Sequence, residues 1–320
     1  MRAYAVFLLK ILLTAALLLT VFSSVEPGKI RETLRELELW RLAALLIIHW
    51  ITQAITAQRW RLLARSAGMG GPYYTFLRMH FVGMFFSIGL PSLVGGDAVK
   101  AYTVSRQAGR PLSLGITSVL HDRAIGLVVL LAYGTVAAFL IPIEWQGLPL
   151  IVPYLAFWIT GGAALWLIMS SERFFRPRLS AEALSAAHRA LQKLAAFHKS
   201  LVEMNLRAAD IAQVIVLSLF NSALVILIVH QICAATRTPV ALGGVAVLVP
   251  LIDILTMFPF SISGIGIREW SYVHLFPLLG MPPAAALGVA LIASSLLIVR
   301  NLAGAVFVLG APGLIPRPKP

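Results

Sequence analysis

The sequence predicts an all-α polytopic membrane protein with about six transmembrane helices and two re-entrant hairpins in an inverted repeat. Its composition indicates the class, because 59% of the 320 residues are hydrophobic and only 12% are charged, unlike a soluble protein of this length. Two apolar segments, 79–96 and 244–262, are broken by proline and by glycine or serine clusters. Paired interruptions at corresponding positions of two halves are typical of transporter binding sites.

Six further apolar windows are long enough to cross a bilayer, which requires about 20 residues in a helix. They are residues 4–22, 40–58, 114–141, 150–170, 209–233 and 283–310. The first window follows Arg2, contains Lys10 and is followed by no small-residue cleavage site. We therefore expect it to be a retained signal anchor.

The distribution of Lys and Arg predicts an orientation in a bacterial-type cytoplasmic (inner) membrane. If both broken segments are re-entrant, most basic loop residues lie on one side, which the positive-inside rule makes cytoplasmic. Both the N-terminus and the C-terminus are then cytoplasmic. If each broken segment crossed the membrane instead, the basic stretch 100–110 would move outside and the asymmetry would weaken.

This topology divides the chain into halves of the same layout and opposite orientation, residues 1–149 and 150–320. Each half reads as span, span, re-entrant segment and span. The two hairpins enter from opposite sides, so we expect their tips to meet near the bilayer midplane. Weak sequence echoes support the repeat: Ser118 to Arg123 with Gly126, and Ser295 to Arg300 with Gly304.

The linker 180–207 has leucines on one helical face and basic residues around the remainder. This pattern predicts a cytoplasmic amphipathic helix at the membrane surface. A helix that caps the bundle is an equally good interpretation. We assign this linker no chemistry.

Two arginines fall within predicted spans. Arg123 lies about nine residues into its span, or about 14 Å deep at 1.5 Å per residue, and Arg300 is also well inside the last span. An arginine at such depth costs about 2.5–3.5 kcal/mol and persists where it faces a polar interior. A buried ion pair that only fixes helix packing is the alternative. Candidate partners are Asp97 and Asp122 for Arg123, and Glu269 for Arg268 or Arg300.

Glycines precede charged residues in both broken segments, as at a helix start. Asp97, after Gly95 and Gly96, is predicted to be the N-cap of a helix through Lys100, and Ser263 to Gly266 is predicted to begin a second helix. Converging helix N-termini and buried arginines favour an anion, and guanidinium suits phosphate. The predicted binding residues are Ser92, Gly95, Gly96, Asp97, Lys100, Arg123, Gly264, Gly266, Arg268, Glu269 and Arg300. Helix capping alone is the alternative for Asp97.

Two further carboxylates are candidates for proton or ion coupling, Asp253 on the entering arm of the second hairpin and Asp122. Asp253 could instead pair with an arginine. His49 and His230 lie in apolar spans and are interpreted as packing residues. The sequence contains no credible nucleotide-binding, zinc-binding or catalytic-triad motif, so we expect no cofactor and no metal.

The broken segments also carry motifs of a known family. These motifs are Gly89 to Ser92, Gly95 to Tyr102, Arg106, Asp122-Arg123 with Gly126, and Pro259 to Glu269. Together they resemble the lysylphosphatidylglycerol synthase transmembrane, or flippase-like, family. The resemblance implies that Asp97, Arg123, Arg268, Glu269 and Arg300 belong to the working site.

The resemblance concerns the membrane module only. Bifunctional members of that family carry a soluble aminoacyl-transferase domain, whereas this chain has a short basic tail after its last span. We therefore do not expect the chain to make lysyl-phosphatidylglycerol by itself. The family's membrane module is associated with movement of a modified phospholipid between leaflets, and relatives are linked to hopanoid or polyprenyl-linked glycolipid pathways.

These observations predict a lipid flippase that moves an anionic phospholipid or a lipid-linked precursor, and not an enzyme. An integral membrane enzyme acting on a lipid phosphate or a polyprenyl-phosphate sugar is the alternative, and a non-transporting scaffold is a third. The expected partners are membrane lipids, with a second copy of the chain or a lipid-biosynthesis enzyme also compatible. Nucleic acid is not expected, since cytoplasmic loops facing anionic lipid account for the net charge of +13.

Overall fold

A computed structural model describes residues 38–89, 94–175, 207–257 and 264–309, together with positions 12, 14–21, 23 and 28. Regular structure in these residues is helical except for one short hairpin. The helices are α1 (Leu39–Ser66), α2 (Tyr73–Gly89), α3 (Val94–Gln107), α4 (Leu112–Leu140), α5 (Ile151–Phe175), α6 (Ala208–Ala235), α7 (Leu242–Met257), α8 (Ile267–Leu275), α9 (Pro283–Leu302) and α10 (Gly304–Leu309). The hairpin pairs β1 (Glu144–Trp145) with β2 (Leu148–Pro149).

Four helical stretches are long and apolar enough to cross a membrane: Leu39–Ser66, Leu112–Leu140, Ala208–Ala235 and Pro283–Val308. They correspond to four of the six predicted spans. The predicted span 150–170 falls in α5, and residues 14–21 of the first predicted span are helical. The linker 180–207 lies outside the described residues apart from Arg207. The all-α polytopic membrane class is confirmed.

Helices α2 and α3 form an antiparallel pair that contains the first broken segment. A Cβ at Gly96 would collide with the Gly83 carbonyl, so the two backbones approach closely where neither residue has a side chain. The helices have 17 and 14 residues, or about 25 and 21 Å, less than the bilayer core of about 30 Å. The re-entrant path of this pair stays a prediction.

Helices α7 and α8 hold the second broken segment. Helix α7 ends at Met257, and α8 begins at Ile267 after the glycines Gly264 and Gly266. Both glycines have positive φ, +79° and +87°, a conformation that L side chains rarely adopt. The backbone therefore turns at Gly264 and Gly266, close to the predicted tip of the second hairpin.

The two halves of the chain pack against each other. Helices α9 and α10 contact α2, where the rings of Phe81 and Phe307 lie 5.3 Å apart. The largest buried cluster contains residues of both α4 and α9. Within this cluster, the Tyr154 hydroxyl donates a 2.6 Å hydrogen bond to the Val247 carbonyl. The Tyr154 ring occupies the space that a side chain at Gly134 would fill. These contacts bring the charged residues of both halves into one interior.

Candidate functional site

Asp97 binds two cations in the interior of the first half. The Arg123 Nε atom of α4 lies 2.9 Å from Asp97 Oδ2, and the Lys100 Nζ atom lies 3.2 Å from Asp97 Oδ1. Lys100 is buried, and its ammonium lies 5.3 Å from the centroid of the Trp60 ring. Arg123, by contrast, keeps 44% of its side chain exposed. Of the two carboxylates predicted as partners of Arg123, the structure selects Asp97.

The position of Asp97 in its helix differs from the prediction. Helix α3 begins at Val94, so Asp97 lies in the first turn and is not the N-cap. Gly95 and Gly96 are already part of the helix. The close packing of Gly96 against Gly83 and Ser87 of α2 favours this earlier start. A carboxylate in the first turn still faces the positive end of the helix dipole.

Asp122 has a different partner from the one predicted. Its Oδ1 atom accepts a 2.6 Å hydrogen bond from Arg59 Nε, and the Asp122 carbonyl accepts another from Arg59 Nη2 at 3.3 Å. Arg59 Nη1 also donates to the Ser218 hydroxyl at 3.1 Å. Arg59 and Asp122 are 9% and 3% exposed, so this ion pair joins α1, α4 and α6 in the interior. Asp122 is therefore the partner of Arg59 and not of Arg123, and its role in proton or ion coupling stays a prediction.

Arg59 is a buried residue that sequence reasoning missed. The predicted span 40–58 ends one residue before Arg59, so hydropathy alone did not place this arginine in the interior. Helix α1 continues to Ser66, and the arginine therefore points into the bundle. The adjacent Trp60 is also fully buried, and its Nε1 donates to the Ser118 hydroxyl at 3.2 Å, so α1 stays inside the bundle beyond residue 58.

Glu269 accepts hydrogen bonds from two groups of the second half. Its Oε2 accepts a 2.6 Å hydrogen bond from the Gly266 backbone N–H, and its Oε1 accepts one from the Ser294 hydroxyl, also at 2.6 Å. Gly266 is the N-cap of α8, as the predicted helix start required. Arg268 Nη1 lies 3.4 Å from the same Ser294 hydroxyl. The Glu269 carboxylate thus binds a helix terminus and a serine in place of the predicted arginine.

Arg300 connects the charges of the two halves. It lies in the last turn of α9, where its Nε donates to Asn301 Oδ1 at 3.0 Å. Arg300 is also within electrostatic reach of Arg123 in the first half and of Arg268 and Asp253 in the second. This proximity places charges of both halves near Arg300. The predicted binding site stays a prediction, and Ser92 lies outside the described residues.

Two histidines border this region. His80 is within electrostatic reach of Lys100, Arg123 and Arg300, and its Nε2 lies 3.1 Å from Gln53 Oε1. His49 is within reach of Arg268 and Arg300. The Nδ1 atoms of both histidines have no hydrogen-bond partner among the described residues. The histidines therefore offer ring nitrogens beside the cations as well as packing surface.

The central region carries excess positive charge. Arg59 and Asp122 neutralise each other, and Glu269 is bound to a helix N-terminus. In the part of the chain that the structure describes, the remaining charges are four cations, Lys100, Arg123, Arg268 and Arg300, against the three carboxylates of Asp97, Asp253 and Glu269. Unbalanced buried charge is costly. An anion with one negative charge would neutralise it. Among the described residues, no group of three or more His, Cys, Asp or Glu side chains could hold a metal ion.

The helical spans and the charged interior together define a polytopic helical membrane protein with a polar site inside the bundle. The chain matches the family described as lysylphosphatidylglycerol synthase TM region over residues 7–304. The chain belongs to this family, as its motifs predicted, and is thus a membrane protein related to lipid metabolism or translocation. No curated protein and no solved structure matched the chain.

Proposed function

We propose that this protein is a lipid translocator that moves an anionic phospholipid or a lipid-linked precursor between membrane leaflets. The observation that carries the proposal is the excess of positive charge around Arg123 and Arg300 inside a bundle of membrane helices. A phosphate is the anion that a membrane supplies at highest concentration, and paired guanidinium groups bind it in bidentate fashion. Family membership supports a role with lipids.

Asp97 gives the site a means of releasing its cargo. The Nε donor of Arg123 serves Asp97, while four further N–H donors sit on the two Nη atoms. A phosphate would bind these donors and compete with Asp97 for Arg123 and Lys100. When the phosphate leaves, the carboxylate neutralises the cations again. This exchange avoids leaving either bare cations or a trapped anion in the interior.

The path in this proposal follows the broken segments. The headgroup passes between the α2–α3 pair and the α7–α8 pair, while the hydrocarbon chains stay in the lipid. Short helical pairs entering from opposite sides would each close one side of the site, which is the arrangement that inverted repeats give to transporters. The proposal includes a cytoplasmic membrane of bacterial type with both termini in the cytoplasm.

Translocation is tested with purified protein in phosphatidylcholine vesicles that contain phosphatidylglycerol labelled on its headgroup. We expect the label on the inner leaflet to become accessible to an external quencher at a protein-dependent rate. Arg123→Leu should abolish that rate, whereas Arg41→Leu should preserve it, because Arg41 pairs with Glu38 on the exposed surface.

The same vesicles separate the transporter from the enzyme and the scaffold. Mass spectrometry of the extracted lipids should show the labelled phosphatidylglycerol unchanged. A chemical change in the lipid would favour an integral membrane enzyme. Full activity of Arg123→Leu, or no protein-dependent rate at all, would contradict the proposed site.

A further inference from the structure

An apolar groove lies beside the charged region, between α4, α5 and α7. Its volume is about 620 Å³, within the range of small-molecule sites. The walls include Ala124 and Leu127 of α4 and Ile254 and Met257 of α7. The groove belongs to no part of the polar site described above.

The groove is open beside two consecutive glycines of α5. Gly161 and Gly162 of α5 form part of its wall, and a Cβ added at either position would meet no atom within 4 Å. The same helix packs tightly about two turns earlier, where Tyr154 fills the space beside Gly134 of α4. Helix α5 therefore stands against α4 near Tyr154, and an open space remains beside its two glycines.

Charged residues and residues of the groove wall lie about one turn apart on the same two helices, α4 and α7. Arg123 lies next to Ala124 and one turn before Leu127 on the same face of α4, since residues four apart lie above one another. Asp253 has the same relation to Ile254 and Met257 on α7. Each of these two apolar walls thus continues from a charged residue of the central region. A molecule with its hydrocarbon end in the groove would have its anionic end at Arg123, since Asp253 at the end of the α7 wall is a carboxylate.

We propose that this groove binds one hydrocarbon chain of the lipid whose phosphate binds near Arg123. The inference rests on the proposed function and adds a second contact to it, which makes the substrate a lipid held by head and chain. Chain burial contributes about 0.8 kcal/mol per methylene where it replaces water. In a bilayer the gain is smaller, because lipid already surrounds the chain, so the groove acts chiefly by holding the headgroup in position.

The charge of the headgroup distinguishes this occupant from ordinary surrounding lipid. Any lipid could lay a chain in an apolar groove, but only an anionic headgroup gains from Arg123 at the end of the α4 wall. The proposal therefore predicts groove occupancy that depends on headgroup charge. Occupancy by phosphatidylcholine and phosphatidylglycerol to the same extent would identify unselected membrane lipid and overturn the inference.

The test uses phosphatidylglycerol or phosphatidylcholine with a photoactivatable diazirine in the middle of one acyl chain, each in vesicles that contain the full chain. After irradiation, crosslinked peptides are mapped by mass spectrometry. We expect the phosphatidylglycerol probe to label the groove-facing residues of α4, α5 and α7 more strongly than the phosphatidylcholine probe. This comparison needs no variant and is independent of folding differences.

The matched variants are Gly161→Leu with Gly162→Leu, which fills the groove, and Ala163→Leu, an exposed position on α5 outside the groove wall. The double variant should abolish the stronger groove labelling by the phosphatidylglycerol probe, because its leucine side chains occupy the groove, and should slow translocation. Ala163→Leu should change neither. Wild-type labelling and transport in the double variant would overturn the groove while leaving the translocator standing. Charge-selective labelling without any translocation by the wild type would support the groove and reject the translocator.

Discussion

The adjacent residues Asp122 and Arg123 belong to two separate ion pairs. Asp122 binds Arg59, which is buried between α1, α4 and α6, while Arg123 binds Asp97 of α3. The first pair is enclosed, whereas Arg123 is 44% exposed. We therefore assign Arg59–Asp122 to the frame of the bundle and Asp97–Arg123 to ligand binding. The two pairs should respond differently to substitution.

Breaking the enclosed pair should cost stability. Arg59→Met leaves Asp122 buried without its partner, which costs about 3–5 kcal/mol, measured as a lower free energy of unfolding in detergent. Adding Asp122→Leu should restore most of that loss, because an apolar pair replaces the ion pair. As a control, Arg65→Met at the half-exposed pair with Asp210 should cost about 0–1 kcal/mol. No loss in Arg59→Met would contradict the assignment.

Neutralising Asp97 should strengthen anion binding and slow release. Asp97→Asn removes the carboxylate that competes for Arg123 and Lys100, so phosphatidylglycerol should bind about tenfold more tightly, a difference of about 1.4 kcal/mol. Binding is measured with purified protein in detergent micelles, and turnover in vesicles. Asp210→Asn, which removes the carboxylate of the Arg65 pair, is the control. Weaker lipid binding in Asp97→Asn would indicate that Asp97 helps to hold the ligand.

The α2–α3 pair depends on the absence of side chains at its crossing. Gly83 and Gly96 allow the helix backbones to approach closely, and the Lys100 side chain lies against Gly83. This packing positions Asp97 and Lys100 on α3 opposite Arg123 on α4. The second pair depends on glycines in another way, through the positive φ of Gly264 and Gly266.

A methyl group at the helix crossing should disturb the site. Gly96→Ala places a Cβ against the Gly83 carbonyl and the Ser87 hydroxyl, and such overpacking costs about 1–3 kcal/mol. The free energy of unfolding and the translocation rate should both fall. Gly162→Ala, which meets no atom within 4 Å, is the control for stability alone and should leave the free energy of unfolding unchanged or raise it by about 0.5–1 kcal/mol. Equal behaviour of the two variants would contradict the close packing of α2 on α3.

Local features of the sequence predicted which charged residues lie within helical spans better than how these residues pair. The depth of Arg123 and Arg300 in apolar windows indicated buried cations, and glycines before charge indicated helix starts. The partner of Asp122 could not be predicted, because Arg59 is distant in sequence and stands where a hydropathy window ends. The groove was also missed. Gly161 and Gly162 resemble ordinary small residues of a span, and only the packing of α5 on α4 shows the space beside them.

The whole molecule is predicted to consist of two inverted halves whose charges meet in the interior. The family and the helical spans establish the membrane class, while the sidedness of each half rests on the distribution of Lys and Arg. Two exposed positions can report that sidedness, Gln107 at the end of α3 and Gln146 in the β1–β2 turn.

Cysteine labelling tests this topology in a chain whose buried Cys233 is replaced by Ala. An impermeant thiol reagent should label Gln107→Cys from the cytoplasmic side and Gln146→Cys from the opposite side, because α4 crosses the membrane between them. The parent lacking cysteine should remain unlabelled. Labelling of both positions from the same side, or of Gln107→Cys from outside, would reject the inverted arrangement.

The central claim is that the charged interior carries anionic lipid across the membrane. The most direct measurement compares the translocation rates of phosphatidylglycerol and phosphatidylcholine with the same headgroup label in the same protein-containing vesicles. If anionic lipid neutralises the charges around Arg123 and Arg300, phosphatidylglycerol should move faster than phosphatidylcholine in the presence of the protein. Arg300→Leu should remove this difference. Equal rates for the two lipids in the wild type would contradict a selective anionic-lipid translocator.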